Sequence, residues 1–314
     1  MIVHNSQKNG QPSSQRSLVD MLGGKLFILT TAIPLFIVLV MVIILLVRTM
    51  PILTLKTLGE LLFGHVWRPN QGLFGFYPFI IGTLWVTILA MLLAIPPCLL
   101  NAIYLSEYAH PAIRGILKPL LDLLAGIPSV VYGVWGTLTI VPWVQSITPT
   151  VSHWFNLPIT NPTGFGILAG GIVLAVMVAP LIISVSSEVM EAVPNGIRQA
   201  SLAVGATQWQ TVRYAVLPKA ASGIIASIVL GFSRAFGETM AVLMVVGNVP
   251  IIPKSIFDAA YPLPALIANN YGEMMSIPLY DAALMGASLL LLLIVLIFNI
   301  IAAMILNNAL KNNR

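Results

Sequence analysis

Charge is scarce in this chain: only 8% of its 314 residues are Asp, Glu, Lys or Arg, where an ordinary soluble domain carries roughly 25%. A chain so poor in charge cannot cover a surface that faces water. Cysteine is nearly missing as well. The single Cys98, in an apolar stretch beside Pro96 and Pro97, excludes an internal disulfide or a thiol metal site and reads as a small buried filler. His4, His65, His110 and His153 lie far apart, give no ligand spacing, and leave no metal expected. No G-x-x-x-x-G-K-[ST] sequence occurs: Gly24-Lys25 runs into Leu26 and lacks the earlier glycine, so no nucleotide site and no other cofactor is expected here. The net charge of +5 comes without a basic cluster interleaved with aromatics, which sets nucleic acid aside as a partner.

What the chain has instead is 58% apolar residues gathered into long runs. Residues 26–47 form an unbroken apolar stretch, and about 22 residues at ~1.5 Å rise cross the ~30 Å hydrocarbon core of a bilayer. It is longer than the ~7–15 residues of a signal-peptide core, and no small-residue cleavage pattern follows it. Further runs cover residues 78–105, 116–144, 164–184, 220–246 and 282–306. Backbone amides in lipid must be bonded internally. Because these runs lack the alternation of a barrel strand, they are read as helices. The expected fold is all-α, with six spans in a lipid bilayer.

With the N-terminus inside, Lys8, Arg16, Lys25, Arg114, Lys118, Arg198, Arg213, Lys219, Lys311 and Arg314 fall on the cytoplasmic side, against Arg48, Lys56, Arg68 and Lys254 outside. That bias follows the positive-inside rule and puts both termini in the cytoplasm. The organisation expected is a disordered cytoplasmic tail over 1–25, a six-span domain over 26–306 and a cytoplasmic tail over 307–314. Outer segments fall at about 48–77, 145–163 and 247–280, and a long inner loop at about 188–219. Trp67, Trp143 and Trp154 then fall near the outer interface.

The spans are more than anchors. Pro96 and Pro97 are expected to interrupt the second, Pro119 and Pro128 the third, and Pro180 the fourth. Such breaks serve either helix packing or a lined pathway. Gly223, Ser227, Gly231 and Ala235 recur every four residues in the fifth span, and Gly166 and Gly170 form a GxxxG in the fourth, spacings that let helices approach closely. Arg234 sits about midway along the fifth span, where an unpaired cation costs roughly 2.5–3.5 kcal/mol, so it must face protein or water. Glu238 follows one turn later, within reach of it. The two either fix packing as an ion pair or mark a substrate pathway, since a guanidinium suits an oxyanion. Asp122 has Lys118 one turn earlier as a neutralising partner.

The inner loop reads as two short helices. Pro194 suits the first turn of one and Gly205 its C-terminal cap, while Thr207 with Gln210 makes a capping box for the second, which Pro218 ends or hands to the fifth span. Trp209, Val212 and Val216 give that second helix an apolar stripe. It either folds back on the bundle or docks into another subunit, where a central Trp is a typical hot spot.

Gln199-Ala200-Ser201, Gly205 and Leu217-Pro218 resemble, in spacing, the EAA loop (EAA-x3-G-x9-I-x-LP) that ABC importer permeases use to engage their ATPases. Gln199, Ser201 and Ala215 depart from it. From Trp67 to Leu306 the chain resembles the PstC-type permease family of phosphate-specific ABC importers. The resemblance rests on Trp67-x-Pro69, Phe74-Gly75, Pro78, Gly82-Thr83, the segments 105–108 and 124–133, and above all residues 234–242 (RAFGETMAV), ending in Gly247-Asn248. Met240-Ala241-Val242 separates it from the sister PstA type, which continues with Ala-Pro. The resemblance implies a MetI-like permease fold in a bacterial cytoplasmic membrane and phosphate as cargo. It also implies, as partners, a PstA-like second permease, two copies of an ATPase and an extracytoplasmic phosphate-binding protein. A permease for sulfate, molybdate or phosphonate is the nearest alternative. An ion-coupled secondary transporter would show several intramembrane carboxylates or an internal repeat. A membrane enzyme would show a clustered nucleophile and base, which is absent.

Overall fold

The computed structural model describes residues 14–155, 161–272 and 278–312, with side chains over 23–151, 161–272 and 279–306. Six helical stretches among them are long and apolar enough to cross a membrane: Gly23–Leu53, Tyr77–Tyr108, Ser129–Val151, Ile167–Glu191, Gln208–Phe236 and Leu279–Leu306. The all-α architecture expected from the apolar runs is the one observed.

In chain order, α1 (Ser14–Leu53) is followed by α2 (Leu58–Phe63), whose start is fixed by a capping box between Thr57 and Glu60. A two-residue hairpin, β1 (Trp67–Arg68) and β2 (Leu73–Phe74), pairs Trp67 with Phe74. Helix α3 (Tyr77–Ile103) ends in a π-helical turn over Tyr104–Tyr108. Next come α4 (Pro111–Ala125), α5 (Ser129–Trp135), a π turn over Gly136–Ile140 and α6 (Val141–Phe155). The central α7 (Ile167–Glu191) leads to α8 (Asn195–Ala203) and α9 (Gln208–Thr211). A third π turn over Val212–Val216 joins α9 to α10 (Leu217–Phe236), and α11 (Met240–Val245), α12 (Leu263–Asn270) and α13 (Pro278–Asn312) complete the chain.

Helix α7 is the hub. Small residues on α3 at four-residue spacing, Val86, Ala90, Ala94, Cys98 and Ala102, are buried in the same core as α7. A Cβ on Gly170 would already meet Val86 Cγ1 at 3.3 Å. The expected small-residue face of α10 packs on the other side. Cβ atoms built on Gly223 and Gly231 would fall 2.2 Å from Val189 and 2.7 Å from Ile182, and Ser227 shares a 2.6 Å hydroxyl bond with Ser186 between them. This ladder (223 to 189, 227 to 186, 231 to 182) sets depth. It carries Arg234 to about the level of residue 179, the middle of α7. Gly166 behaves differently from the expected GxxxG partner, standing outside the helix as the cap of α7, where a Cβ would strike the carbonyls of Asp258 and Phe257.

The third span differs most from expectation. The run read as 116–144 is cut in two, because α4 ends at Ala125 and the chain restarts as helix only at Ser129. Helix α4 lies along the C-terminal half of α7, where Lys118 and Arg114 meet Glu191 at 2.7 and 3.6 Å. Lys118 thus serves α7 rather than Asp122 on its own helix. Beyond the break, Cβ atoms on Gly133 and Gly136 would touch Met244 and Val245, and one on Gly164 the carbonyl of Val141, so residues 129–136 pack beside α11. Pro119, Pro96, Pro97 and Pro180, expected to interrupt their spans, all lie inside continuous helix. For α3 and α7 the shared packing outweighs a lost amide donor or two. Pro128 alone stands at a break, as the residue before α5.

A second cluster closes the end of the bundle opposite Glu191: Ile52, Phe74, Phe76, Phe79, Tyr261, Leu263, Leu266 and Tyr280 among others. Trp67 packs edge-on against Phe79 at 5.0 Å and against Tyr280 at 5.9 Å. Trp67 is therefore part of an ordered cap rather than a lipid anchor, whereas Trp143 is half exposed. The Trp154 side chain lies outside the described residues. Residues 247–262 return to the tops of the bundle, with Ala260 N bonded to Val246 O and Ile167 N to Asp258 O. The segment expected to be a disordered tail is helical from Ser14, continuous with the first span. Helices α1 and α13 pair at the edge, with large apolar side chains such as Leu29 and Phe36 exposed. That arrangement suits a lipid surround, which costs such side chains nothing.

Candidate functional site

Two helix breaks lie side by side at mid-depth. One is the Gly126–Pro128 link between α4 and α5. The other is Gly237–Thr239 between α10 and α11, and α5 packs on α11. Arg234, in the last turn of α10, spans from one break to the other and donates from its guanidinium to the carbonyl of Ala125 at 3.3 Å. The carbonyl one residue earlier, Leu124, accepts the Tyr132 hydroxyl at 2.8 Å. Carbonyls at the end of α4, which have no amide partner within the helix, are thus met by side chains from two other helices. A cation also suits the negative end of a helix.

The expected pairing of Arg234 with Glu238 is not formed. Among the described residues the ion pairs are Arg48 with Asp281, Arg114 and Lys118 with Glu191, and Arg198 with Glu107. Helix α10 stops at Phe236, so Glu238 is no longer one helical turn away; its carboxylate accepts the Ala241 amide at 3.2 Å, in the first turn of α11. Each charge sits at the helix end that suits its sign. Glu238 also borders a small cavity with Thr83, Thr87, Pro262 and Pro264. A separate cleft of about 550 Å³ is lined by Asn161, Thr163, Asn248 and Asp258 among others. There Asn248 holds a left-handed backbone, φ +53°, and its amide donates to Leu243 O at 2.7 Å.

The loop between α7 and α10 is built as two helices. Pro194 stands one residue before α8 rather than in its first turn. Thr207 and Gln210 form the expected box, with bonds of 2.8 and 3.2 Å. Gly205 has φ +86° with open space around it. The second helix does not stop at Pro218. It runs through the π turn into α10, so the loop and the fifth span are one rod from Gln208 to Phe236. The apolar stripe is divided: Val212 and Val216 are fully buried against the bundle, while Trp209 is 48% exposed. Gln199, Ala200 and Pro218 are exposed as well, and Leu217 is half-buried.

Sequence reasoning missed what holds this loop in place. Arg198 grips Glu107 at the C-terminal end of the second span, Nε to Oε2 at 3.0 Å and Nη2 to Oε1 at 2.7 Å. That hydrogen bond, foremost, raises the Arg198 guanidinium above its ordinary pKa. Two residues separated by 91 positions carry no local signal of their pairing.

The chain matches the family described as binding-protein-dependent transport system inner membrane component over residues 99–310. It is 40% identical over 209 residues to the probable ABC transporter permease protein YqgH of Bacillus subtilis, covering 66% of this chain and 64% of that one. It is 36% identical over 236 residues to the phosphate transport system permease protein PstC of Pasteurella multocida, 73% of each chain. The PstC of Mesorhizobium japonicum is 34% identical over 257 residues, 79% of this chain and 78% of that one. Among solved structures, the MetNI methionine ABC transporter in an inward-facing conformation matches with a TM-score of 0.56 at 20% identity, over 73% of this chain and 93% of that one. A bacterial ABC transporter that imports the acidic polysaccharide alginate gives 0.57 at 16% identity, over 92% and 99%. These likenesses establish a MetI-type permease fold. By its family match, and by identity with relatives along most of its length, this chain belongs to the inner membrane components of binding-protein-dependent transport systems.

Proposed function

We propose that this chain is the PstC-like permease subunit of an ATP-driven phosphate importer, multi-pass in a bacterial cytoplasmic membrane with both termini inside. Its partners in this reading are a PstA-like second permease, two copies of a cytoplasmic ATPase and an extracytoplasmic phosphate-binding protein. The observation that carries the reading is Arg234. Among the described residues it is the only Lys or Arg at mid-depth of the bundle, and its side chain bridges two broken helices. Non-helical backbone at membrane depth is tolerated where it is enclosed by protein or lines a path. A single guanidinium held by one neutral carbonyl retains free donors for an oxyanion passing from the outer cleft. The names of the relatives support phosphate over other oxyanions. Arg234 and Glu238 are assigned to the pathway, and Gln199, Ala200, Gly205, Trp209, Leu217 and Pro218 to the surface that meets the ATPase. The segments 48–77 and 247–280 are assigned to the outside, 188–219 to the cytoplasm.

The test is uptake by vesicles that contain the complex purified through a tag on this chain. ATP-dependent accumulation of radiolabelled phosphate, unaffected by excess sulfate or molybdate, is the expected result. Uptake of sulfate or molybdate in preference to phosphate would move the chain to another oxyanion system. Uptake driven by an ion gradient without ATP would remove it from the ATP-driven class.

A further inference from the structure

Helix α8 is a poorly anchored element, since none of its residues is buried. A helix without a buried face keeps its position only through the few side chains that reach the bundle. Ile197 packs partly against the core, and Ser201 shares a 2.9 Å hydroxyl bond with Thr211. The strongest tie is Arg198. Beyond its two bonds to Glu107, its Nη2 donates to Met190 O at 2.7 Å, and its Nη1 donates to Val193 O and to Asn195 Oδ1. All three guanidinium nitrogens are engaged, and the Arg198 and Glu107 side chains are only 17% and 7% exposed.

Glu107 is equally committed. It sits in the π turn that ends span two, and its own backbone carbonyl accepts Gln208 Nε2 at 2.7 Å, at the start of the second loop helix. The neighbouring Ser106 carbonyl accepts Arg114 at 2.8 Å, which in turn meets Glu191 at the end of α7. One residue of span two therefore holds both helices of the cytoplasmic loop. The second loop helix already continues as span five. Without Arg198, α8 would join the bundle through the chain ends of its loop and little else.

We infer that the Glu107–Arg198 pair is the strut through which displacement of α8 by a cytoplasmic subunit is transmitted to spans two and four. Both are positioning residues, acting through the helices they join rather than on the cargo. The inference rests on the proposed ATP-driven reading, because a strut has a transport role only if something pushes on α8. A planar fork on a carboxylate, with two further carbonyl contacts, resists translation and rotation together. A lysine ammonium at this position would keep the charge and lose the fork.

The experiment uses the complex purified through a tag on this chain and placed in vesicles, reading cargo moved per ATP hydrolysed. The variants are Glu107→Gln, Arg198→Lys and the exchange Glu107→Arg with Arg198→Glu. Expected is normal recovery of the ATPase and continued hydrolysis, with cargo per ATP lower by about fivefold or more in each single variant and partly restored in the exchange. An unchanged ratio in Glu107→Gln and Arg198→Lys would overturn the inference. So would loss of the ATPase from both, which would make the pair a plain structural brace. A wild-type chain without cargo-dependent hydrolysis would defeat the proposed function and the inference together. Coupled variants beside a coupled wild type would defeat the inference alone.

Discussion

Arg234, at the end of one broken helix, donates a hydrogen bond to the carbonyl of Ala125, at the end of another. The contact joins the end of α4 to the end of α10 at the depth where both helices stop. It explains how a cation is tolerated there, since the negative ends of two helices converge on it. It also leaves Glu238 free of Arg234 to cap the first turn of α11. The arrangement is one of opposed helix ends, each met by the charge that suits it.

Gly205 is expected to be the most sensitive position of the loop between α7 and α10, for a purely backbone reason. Its φ of +86° disfavours other residues, yet nothing lies within 4 Å of where a Cβ would stand. Gly205→Val should cost about 1–2 kcal/mol of local order and uncouple ATP hydrolysis from transport, whereas Gly205→Asn, which accepts a left-handed backbone, should be far milder. Hydrolysis and uptake measured on the same vesicles would check this. Equal and normal coupling in both variants would argue that the turn is not needed.

The contact between α7 and α10 should answer to size at one pair. A methyl on Gly223 would fall 2.2 Å from Val189 Cγ1, too close to absorb without movement. Gly223→Ala is expected to destabilise the protein by about 1–3 kcal/mol, as overpacking does. Adding Val189→Ala should recover part of that loss. Thermal unfolding in detergent of both single variants and the double variant gives the comparison, and a double-variant loss equal to the sum of the two single losses would show that the two positions are not coupled.

Orientation is open to chemical labelling. In a Cys98→Ser background, cysteines at Asn70 and Tyr271, both exposed, should react with an impermeant reagent added to intact cells. A cysteine at Val204, 84% exposed on the inner loop, should react only after lysis. The reverse pattern would mean the chain is inserted the other way round.

Most of the architecture was legible because lipid imposes a simple rule. Backbone amides must be bonded within each span, so length and hydropathy alone reveal Tyr77–Tyr108 or Ile167–Glu191 as helices. The small-residue spacing of Gly223, Ser227 and Gly231 likewise announced a close helix contact, although not that its partner is α7. Prolines misled, because a proline permits a break without requiring one: Pro96, Pro97 and Pro180 sit in continuous helix, while Gly126–Pro128 divides a span. The spacing of Arg234 and Glu238 misled for a related reason. A four-residue interval means one face only while the helix continues, and Gly237 ends it. The partners of Arg198 and Lys118 come from remote segments, and no local pattern announces them.

The central claim is that Arg234 meets the cargo rather than merely fastening two helices. Transport requires that such contact be weak enough to release, which suits one guanidinium shared with a backbone carbonyl. The direct measurement is ATP-dependent phosphate uptake by vesicles containing wild type, Arg234→Lys or Arg234→Ala, with recovery of the assembled complex measured alongside. Arg234→Lys keeps the charge and loses the planar fork, so uptake should fall while assembly stays intact. Arg234→Ala should fall further, by about 10-fold or more if the lost interaction is a charge-assisted bond of roughly 1.5–3 kcal/mol. Normal uptake by Arg234→Ala, or a loss of uptake that tracks a loss of assembled complex, would contradict the account and leave Arg234 a structural residue.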